Sequence, residues 1–279
     1  MRNRELSKAD IECFREHLIH EEKSAATVEK YIRDALAFCL FLAGQPVTKE
    51  RVVEYKQGLV EKGYAVRSIN SMLASINSLL AFLNCAECRV KTLKTQRRIY
   101  SAEEKELTKA EYYRLVEAAR NNMRLCLLLQ TICSSGIRVS ELQSFTGEAV
   151  QQGEVIISCK GKTRTILVPV SLKKKLLAFT HKLGIQNGVI FRTKSGKPMN
   201  RSNIWAEMKK LCQVANVKAS KVFPHNLRKL FARTFYGIEK DIAKLADILG
   251  HSNIETTRIY IMTTGVEHRR KIERLGLVV

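Results

Sequence analysis

The chain has 279 residues, of which 45% are hydrophobic and 27% are charged. This composition excludes a disordered chain, and the length suffices for two domains that each bury a core. The formal net charge is +21 at pH 7, and residues 101–279 carry +16 of it. So large an excess indicates a polyanionic partner, with nucleic acid as the first candidate and an anionic membrane surface as the second.

The sequence carries no membrane or metal signal. No window of about 18 apolar residues predicts a transmembrane helix, and the first residues lack the apolar segment of a signal peptide. The eight cysteines lie mostly in apolar runs, and Cys85-x-x-Cys88 has no second pair at zinc spacing. We therefore expect a cytoplasmic, nucleoid-associated protein with reduced thiols, no cofactor and no membrane partner.

Four helices are predicted in the first third of the chain. Ser7 is the expected N-cap of the first helix, which runs to about residue 20. Apolar residues at helical spacing predict a second helix over 28–44, a third over 48–61 and a fourth over 67–83.

The polar face of the fourth helix has two interpretations. Small polar residues and one arginine are typical of a helix that enters a DNA major groove, and they fit a solvated face nearly as well. The residues of this face are Arg67, Ser68, Asn70, Ser71, Ser75 and Ser78. We predict that Arg67 and, on the second helix, Lys30 contact DNA.

A change of composition after residue 83 separates this module from the rest. Residues 89–105 contain few large apolar side chains and a run of positive charge, which is typical of an interdomain linker. We predict domains over 1–95 and 106–279, joined by a basic linker over 96–105. Arg97 and Arg98 of the linker are expected to follow a phosphate backbone.

The second part of the chain combines helices with one β signal. Thr108 and Glu111 have the spacing of a capping box, and an apolar helix from 123 to 133 is expected at the centre of a second core. Apolar triplets on both sides of a turn at 160–163 predict a hairpin. Helices resume at 203–214 and again from residue 224.

Two short segments carry cations at helical spacing. The stretch SGIRVSEL predicts a helix start on which Arg138 and Glu141 share a face. The carboxylate would orient the guanidinium for bidentate phosphate binding, although alone such a pair is more often a structural salt bridge. Further on, His225 and Arg228 lie three residues apart after Pro224, which suits the first turn of a helix.

The order of these segments resembles that of the tyrosine recombinase, or phage integrase, family. Its boxes T-G-x-R-x-x-E-L, H-x-L-R and L-G-H with a later T-x-x-Y correspond to SGIRVSEL, HNLR and LGHSNIETTRIY, the last of which contains His251 and Tyr260. Members also carry a hairpin lysine in K-G-x-K-x-R, and KGKTRTILVP points to Lys160. This stretch is one residue longer than the family form, so Lys162 is a rival. Phe223 stands where a small hydroxyl residue often caps the helix.

The resemblance implies a mainly α-helical protein of two domains. The first would be an all-α helical bundle of the SAM-like, core-binding type, and the second an α+β catalytic domain with a small β-hairpin sheet. The resemblance further implies double-stranded DNA as the partner and a homo-tetramer on that DNA. Its subunits would be joined by exchange of C-terminal tails.

The resemblance also implies cleavage of a DNA phosphodiester without metal or ATP. Tyr260 is the expected nucleophile, which forms a 3′-phosphotyrosine while a 5′-hydroxyl leaves, and His225 accepts its proton. The two arginines and the second histidine would hold the phosphate, and the lysine would protonate the leaving oxygen. The expected catalytic residues are Arg138, Lys160, His225, Arg228, His251 and Tyr260. The other predicted DNA contacts are Lys30, Arg67, Arg97, Arg98, Lys162 and Arg258.

Three functions are open at this point. The leading hypothesis is a site-specific recombinase, either an integrase or excisionase of a mobile element or a chromosome-resolving enzyme. A type IB topoisomerase shares the fold and the chemistry, and a DNA-binding regulator retains the fold alone. The basic and apolar tail after Tyr260 disfavours the topoisomerase, and the complete set of boxes disfavours the regulator.

Overall fold

The computed structural model describes residues 5–94, 106–159, 162–185, 187–262 and 265–277. The chain divides into two compact units, residues 1–97 and residues 98–279. The predicted linker over 96–105, including Arg97 and Arg98, lies outside the described residues, and the exact domain bounds stay a prediction. None of the described helices has the length and apolar character needed to cross a bilayer.

The first unit is helical, as the sequence predicts. Its helices are α1 (Lys8–His20), α2 (Ala25–Leu42), α3 (Lys49–Glu61) and α4 (Val66–Phe82), followed by a 3₁₀ turn at Ala86–Cys88. Ser7 caps α1 in a capping box with Asp10, which confirms the predicted start. The helices enclose one apolar core, whose largest fully buried members include Phe14, Phe38 and Leu73.

Two side chains of the polar face of α4 form hydrogen bonds within this unit. Ser75 is fully buried and donates a hydrogen bond to Asp34 Oδ2 at 2.9 Å. The side chain of Asn70 donates to the Leu93 carbonyl and accepts from the Leu93 amide. Because both side chains already have partners inside this unit, the structure favours a structural role for them over the groove interpretation. Arg67 remains exposed.

Lys30 is held in the same network. Its ammonium donates to Asp34 Oδ2 at 2.7 Å, to the Ser71 carbonyl at 2.9 Å and to Ser75 Oγ at 2.8 Å. An ammonium has three donors, so all of them are occupied. This arrangement favours a structural role for Lys30 over the predicted contact to a DNA phosphate.

The second unit packs helices around a short hairpin. The element bounds are α5 (Lys109–Ala118), α6 (Met123–Ser135), α7 (Gly147–Gln152), β1 (Glu154–Cys159), β2 (Lys162–Leu167), α8 (Val170–Lys182), α9 (Arg201–Val214), α10 (Pro224–Glu239), α11 (Ile242–Leu249), α12 (Ile254–Ile261) and α13 (Gly265–Glu273), with 3₁₀ turns at Val139–Ser144 and Ala219–Lys221. Thr108 and Glu111 form the predicted capping box. Helix α6 is central, as expected, because Leu127, Leu128 and Leu129 on it are all buried.

Two local predictions in this unit were wrong. The predicted turn at 160–163 is shorter, because β1 and β2 pair in antiparallel register as far as Cys159 and Lys162. The Ser158 and Thr163 hydroxyls lie 3.2 Å apart across this ladder. The segment after α6 is also not an α-helix: Arg138 has an extended conformation (φ −78°, ψ 152°) and begins the 3₁₀ turn.

Candidate active site

Arg138 is fixed at the start of the 3₁₀ turn by the carboxylate of Glu141. Its backbone amide donates to Glu141 Oε2 at 2.7 Å, and its Nη1 donates to Glu141 Oε1 at 2.9 Å. Its Nη2 lies 3.2 Å from the carbonyl oxygen of Gly250, on the turn before His251. The arginine side chain is 37% exposed and its carboxylate partner only 5%. The pair thus presents a fixed guanidinium to solvent.

Arg228 lies on α10 and is 1% exposed. It donates to the carbonyl oxygens of Gly136 and Leu249 and to His251 Nε2, the last two at 2.6 and 3.0 Å. Burial and the charge of Arg138 lower the pKa of Arg228 to about 10, so it remains protonated at neutral pH. The guanidinium therefore ties the loop after α6 to the loop after α11.

Tyr260 lies on α12 beside both histidines. Its hydroxyl is 3.4 Å from His225 Nδ1, and its ring centroid is 5.0 Å from that of His225 and 5.1 Å from that of His251. The guanidinium carbon of Arg228 lies 5.9 Å from the tyrosine ring centroid. A phenol, two imidazoles and two guanidiniums from distant parts of the chain thus surround one point.

Comparisons with known proteins agree with this arrangement. The family model "Phage integrase family" matches residues 105–265, and the model "Phage integrase, N-terminal SAM-like domain" matches residues 11–86. The chain belongs to the phage integrase family. This membership confirms the predicted family and fold class.

Relatives and solved structures extend the likeness to the whole chain. "Tyrosine recombinase XerA" of Pyrococcus furiosus is 26% identical over 288 residues, which cover 100% of this chain and 98% of the relative. A lambda integrase tetramer bound to a Holliday junction has a TM-score of 0.72 at 17% identity, covering 90% of this chain and 76% of that one. XerH bound to its difH substrate has a TM-score of 0.70 at 17% identity, covering 97% and 85%. These structures share the fold.

The two histidines of this integrase family member are held neutral near pH 7. Burial lowers the pKa of His225 to about 4, with further contributions from the charges of Lys229, Arg228, Arg201 and Arg138. The pKa of His251 is also lowered to about 4, by burial and then by neighbouring arginine charges. A neutral imidazole next to a phenol is able to accept its proton.

The tautomer of His251 follows from its partners. A guanidinium only donates hydrogen bonds, so Nε2, which faces Arg228 at 3.0 Å, is the acceptor. The proton of the neutral ring is then on Nδ1, which donates to Thr257 Oγ1 at 2.8 Å. Thr257 is fully buried. This threonine is the T of the T-x-x-Y in the third box, to which the sequence analysis assigned no role.

Lys229→Gln is expected to shift the acid limb of the cleavage profile to higher pH. The charge of Lys229 opposes protonation of His225, so its loss raises the pKa of the imidazole from about 4 towards its ordinary value. Cleavage rates at limiting protein concentration, measured from pH 4.5 to 7.5, report the free enzyme. Lys244→Gln removes an equal charge from an exposed pair with Glu239 and should leave the limb in place. An unmoved limb in Lys229→Gln would contradict the assignment of His225.

The other predicted site residues are placed less centrally. Lys160 lies outside the described residues, as does the side chain of Lys162, whose backbone pairs with Cys159 in the hairpin. The choice between the two lysines therefore stays open. Arg258 is 58% exposed on α12 and lies 3.7 Å from Glu255, where it remains accessible to a phosphate backbone.

Arg164 on β2 is a site neighbour that sequence reasoning missed. Its Nη2 donates to Glu141 Oε2 at 2.7 Å, and its side chain is 15% exposed. The available signal was strand alternation, because position 164 shares a face of β2 with the buried Ile166. An arginine on a buried face needs an anionic partner.

Proposed function

We propose that this protein is a site-specific DNA recombinase that cleaves and rejoins DNA through a 3′-phosphotyrosine, without metal or ATP. The observation that carries the proposal is the position of the Tyr260 hydroxyl, 3.4 Å from His225 Nδ1 and close to the buried Arg228. A nucleophile beside a neutral base and a fixed cation is suited to attack a phosphodiester.

The proposed reaction exchanges one ester for another. The Tyr260 oxygen attacks the phosphorus while His225 takes the phenolic proton, and the bond from phosphorus to the 5′-oxygen breaks. Lys160, or its rival Lys162, donates a proton to that oxygen, which leaves as a hydroxyl. Rejoining reverses these steps with the 5′-hydroxyl of another strand, so the energy of the ester is conserved and no nucleotide is needed.

The guanidiniums supply the charge for this step. The pentacoordinate phosphorus carries more negative charge on its non-bridging oxygens than the starting ester, and preorganised cations stabilise it. Arg138 is half-exposed and oriented by Glu141. The buried guanidinium of Arg228 is fixed by hydrogen bonds to two backbone carbonyl oxygens. We propose that both bind the phosphate. We also propose that His251 donates a hydrogen bond to it in the other tautomer, with the ring proton on Nε2 and with Nδ1 accepting from the Thr257 hydroxyl.

Double-stranded DNA and other copies of this chain are the proposed partners. The net charge of +21 supports a polyanion, and the similar lambda integrase and XerH structures are bound to a Holliday junction and to difH. The lambda integrase is a tetramer, which supports a tetramer here. We propose residues 1–95 as the core-binding domain, 106–279 as the catalytic domain, and a cytoplasmic, nucleoid-associated location.

The C-terminal tail supports assembly between subunits. Val266, Ile272, Leu275 and Leu277 are about half or more exposed, at 49%, 53%, 62% and 81%. Arg233 on α10 lies 3.2 Å from Glu267, which holds the start of α13 on its own unit. The apolar residues beyond it lack cover within the described chain, and a neighbouring subunit would bury them. This exposed tail favours a recombinase over a topoisomerase that acts as a monomer.

Covalent trapping tests the proposed function. The DNA site is first selected by the protein from a random-sequence duplex pool, and is then synthesised with a nick next to each candidate scissile phosphate. Loss of the short fragment should trap the protein on the DNA strand that ends in a 3′-phosphate, visible on a denaturing gel. Adducts that require Mg²⁺, or that carry a 5′-phosphate, would contradict the proposal.

Deleting residues 272–279 is expected to weaken assembly on paired sites without unfolding the protein. Among the removed residues, Ile272, Leu275 and Leu277 are exposed, so their loss should change the melting temperature little, whereas burial in a neighbour at about 1.5–3 kcal/mol per side chain would be lost. A melting curve and a native gel on two-site DNA measure the two effects. A large fall in melting temperature with normal two-site complexes would show that the tail packs on its own domain.

A further inference from the structure

The hairpin contributes a second guanidinium to the carboxylate that orients Arg138. Arg164 Nη2 donates to Glu141 Oε2 at 2.7 Å, and Arg138 Nη1 donates to Glu141 Oε1 at 2.9 Å. The same Oε2 atom also accepts from the Arg138 amide at 2.7 Å. One buried carboxylate is thus shared between two arginines from separate elements.

Glu141 is ionised in this position. Burial alone raises its pKa, but the hydrogen bonds from Arg138 and the charge of Arg164 outweigh burial and hold the pKa below its usual value. The carboxylate is 5% exposed, so water screens its charge poorly. With two arginines and one carboxylate the cluster has a net charge of +1, and without Arg164 the net charge would be zero.

Arg164 also packs against the turn that precedes His251. Gly250 has φ +64°, and a Cβ atom built on it would lie 2.3 Å from Arg164 Nη1. The carbonyl oxygen of the same glycine lies 3.2 Å from Arg138 Nη2. Both arginines therefore meet on this turn, and the absence of a side chain at position 250 makes room for the second guanidinium.

We infer that Arg164 is a positioning residue that neutralises Glu141, so that the charge of Arg138 remains available to the DNA phosphate. The inference rests on the proposed function and deepens it. Without Arg164, the buried carboxylate would have Arg138 as its remaining ionic partner and would draw the guanidinium inwards. The transition state would then lose part of the positive charge that stabilises it.

The decisive measurement compares the loss of Arg164 in two backgrounds. With Glu141 present, Arg164→Gln should slow single-turnover cleavage of the selected nicked duplex by about tenfold or more, because an uncompensated charge acts at short range. In the Glu141→Gln background, the same Arg164→Gln change should cost less than about threefold, because no carboxylate remains to neutralise. Coupling of this kind identifies residues that act through each other.

Arg120→Gln is the matched control. Arg120 pairs with Glu117 at 2.9 Å on an exposed surface, with side chains 78% and 70% exposed, so its loss removes one charge from the same unit. We expect wild-type cleavage rates in this variant. DNA affinity should be similar in all variants, and Arg164→Lys, which keeps the charge, should retain most of the rate.

The outcomes separate the inference from the proposed function. Equal losses of cleavage rate from Arg164→Gln in both backgrounds would overturn the inference. They would show that Arg164 contacts the phosphate itself or only supports the fold, independently of Glu141. If Arg164→Gln alone fails to fold, the comparison of Glu141→Gln with Glu141→Gln/Arg164→Gln decides the question, since a loss above about threefold there overturns it equally. Failure of the wild-type protein to form any covalent adduct would instead overturn the proposed function.

Discussion

Tyr260→Phe is expected to bind the selected DNA site normally and to form no covalent adduct. The substitution removes one oxygen atom, the one that lies 3.4 Å from His225 Nδ1, and leaves the ring that packs between the two histidines. Because the ring is retained in a position that is 7% exposed, folding should be nearly unchanged. Trapping on the nicked duplex, read on a denaturing gel, measures the loss directly.

Tyr236→Phe is the matched control for this experiment. Tyr236 lies near the end of α10, with the Lys240 ammonium 5.7 Å from its ring centroid, and it is the alternative nucleophile in this part of the chain. Its variant should form the adduct at the wild-type level. Wild-type trapping by Tyr260→Phe together with loss of trapping by Tyr236→Phe would move the nucleophile to α10.

Arg138→Ala and Arg228→Ala are each expected to lose at least about 10²-fold in cleavage rate. Each change removes a preorganised donor to the charge that develops on the phosphate, and losses of this order follow the removal of one such donor. DNA affinity should fall much less, because the +21 chain has many other basic residues available to a DNA backbone. Single-turnover rates at saturating protein, with binding measured separately, distinguish the two effects.

The two arginine variants should differ in stability. Arg228 is 1% exposed and satisfies the carbonyl oxygens of Gly136 and Leu249, so its loss leaves two buried acceptors without donors at about 1–3 kcal/mol each. Arg138 is 37% exposed, and its loss should lower the melting temperature less. A cleavage rate within about threefold of wild type in either variant would rule out its proposed contact to the phosphate.

Local patterns predicted the elements of this fold well. The capping boxes at Ser7 and Thr108 mark the starts of α1 and α5, because a side chain that binds an amide three residues ahead depends only on nearby sequence. The prediction of secondary structure was weaker in short segments, where a few contacts decide between an α-helix and a 3₁₀ turn. The stretch after α6 has helical spacing, yet the carboxylate of Glu141 holds the Arg138 amide at the start of a 3₁₀ turn.

The sequence by itself determined the helical framework, the hairpin and the three boxes that identify the family. The tertiary structure decided which charges from distant parts of the chain meet. Lys30 has the charge expected of a DNA contact, but packing of α2 on α4 adds Ser71 and Ser75 to its i,i+4 partner Asp34. Arg164 reaches Glu141 only when the hairpin folds against the turn after α6. The physical reason is that hydrophobic periodicity and capping act within a few residues, whereas an ion pair between residues far apart in the chain forms only after the cores have packed around it.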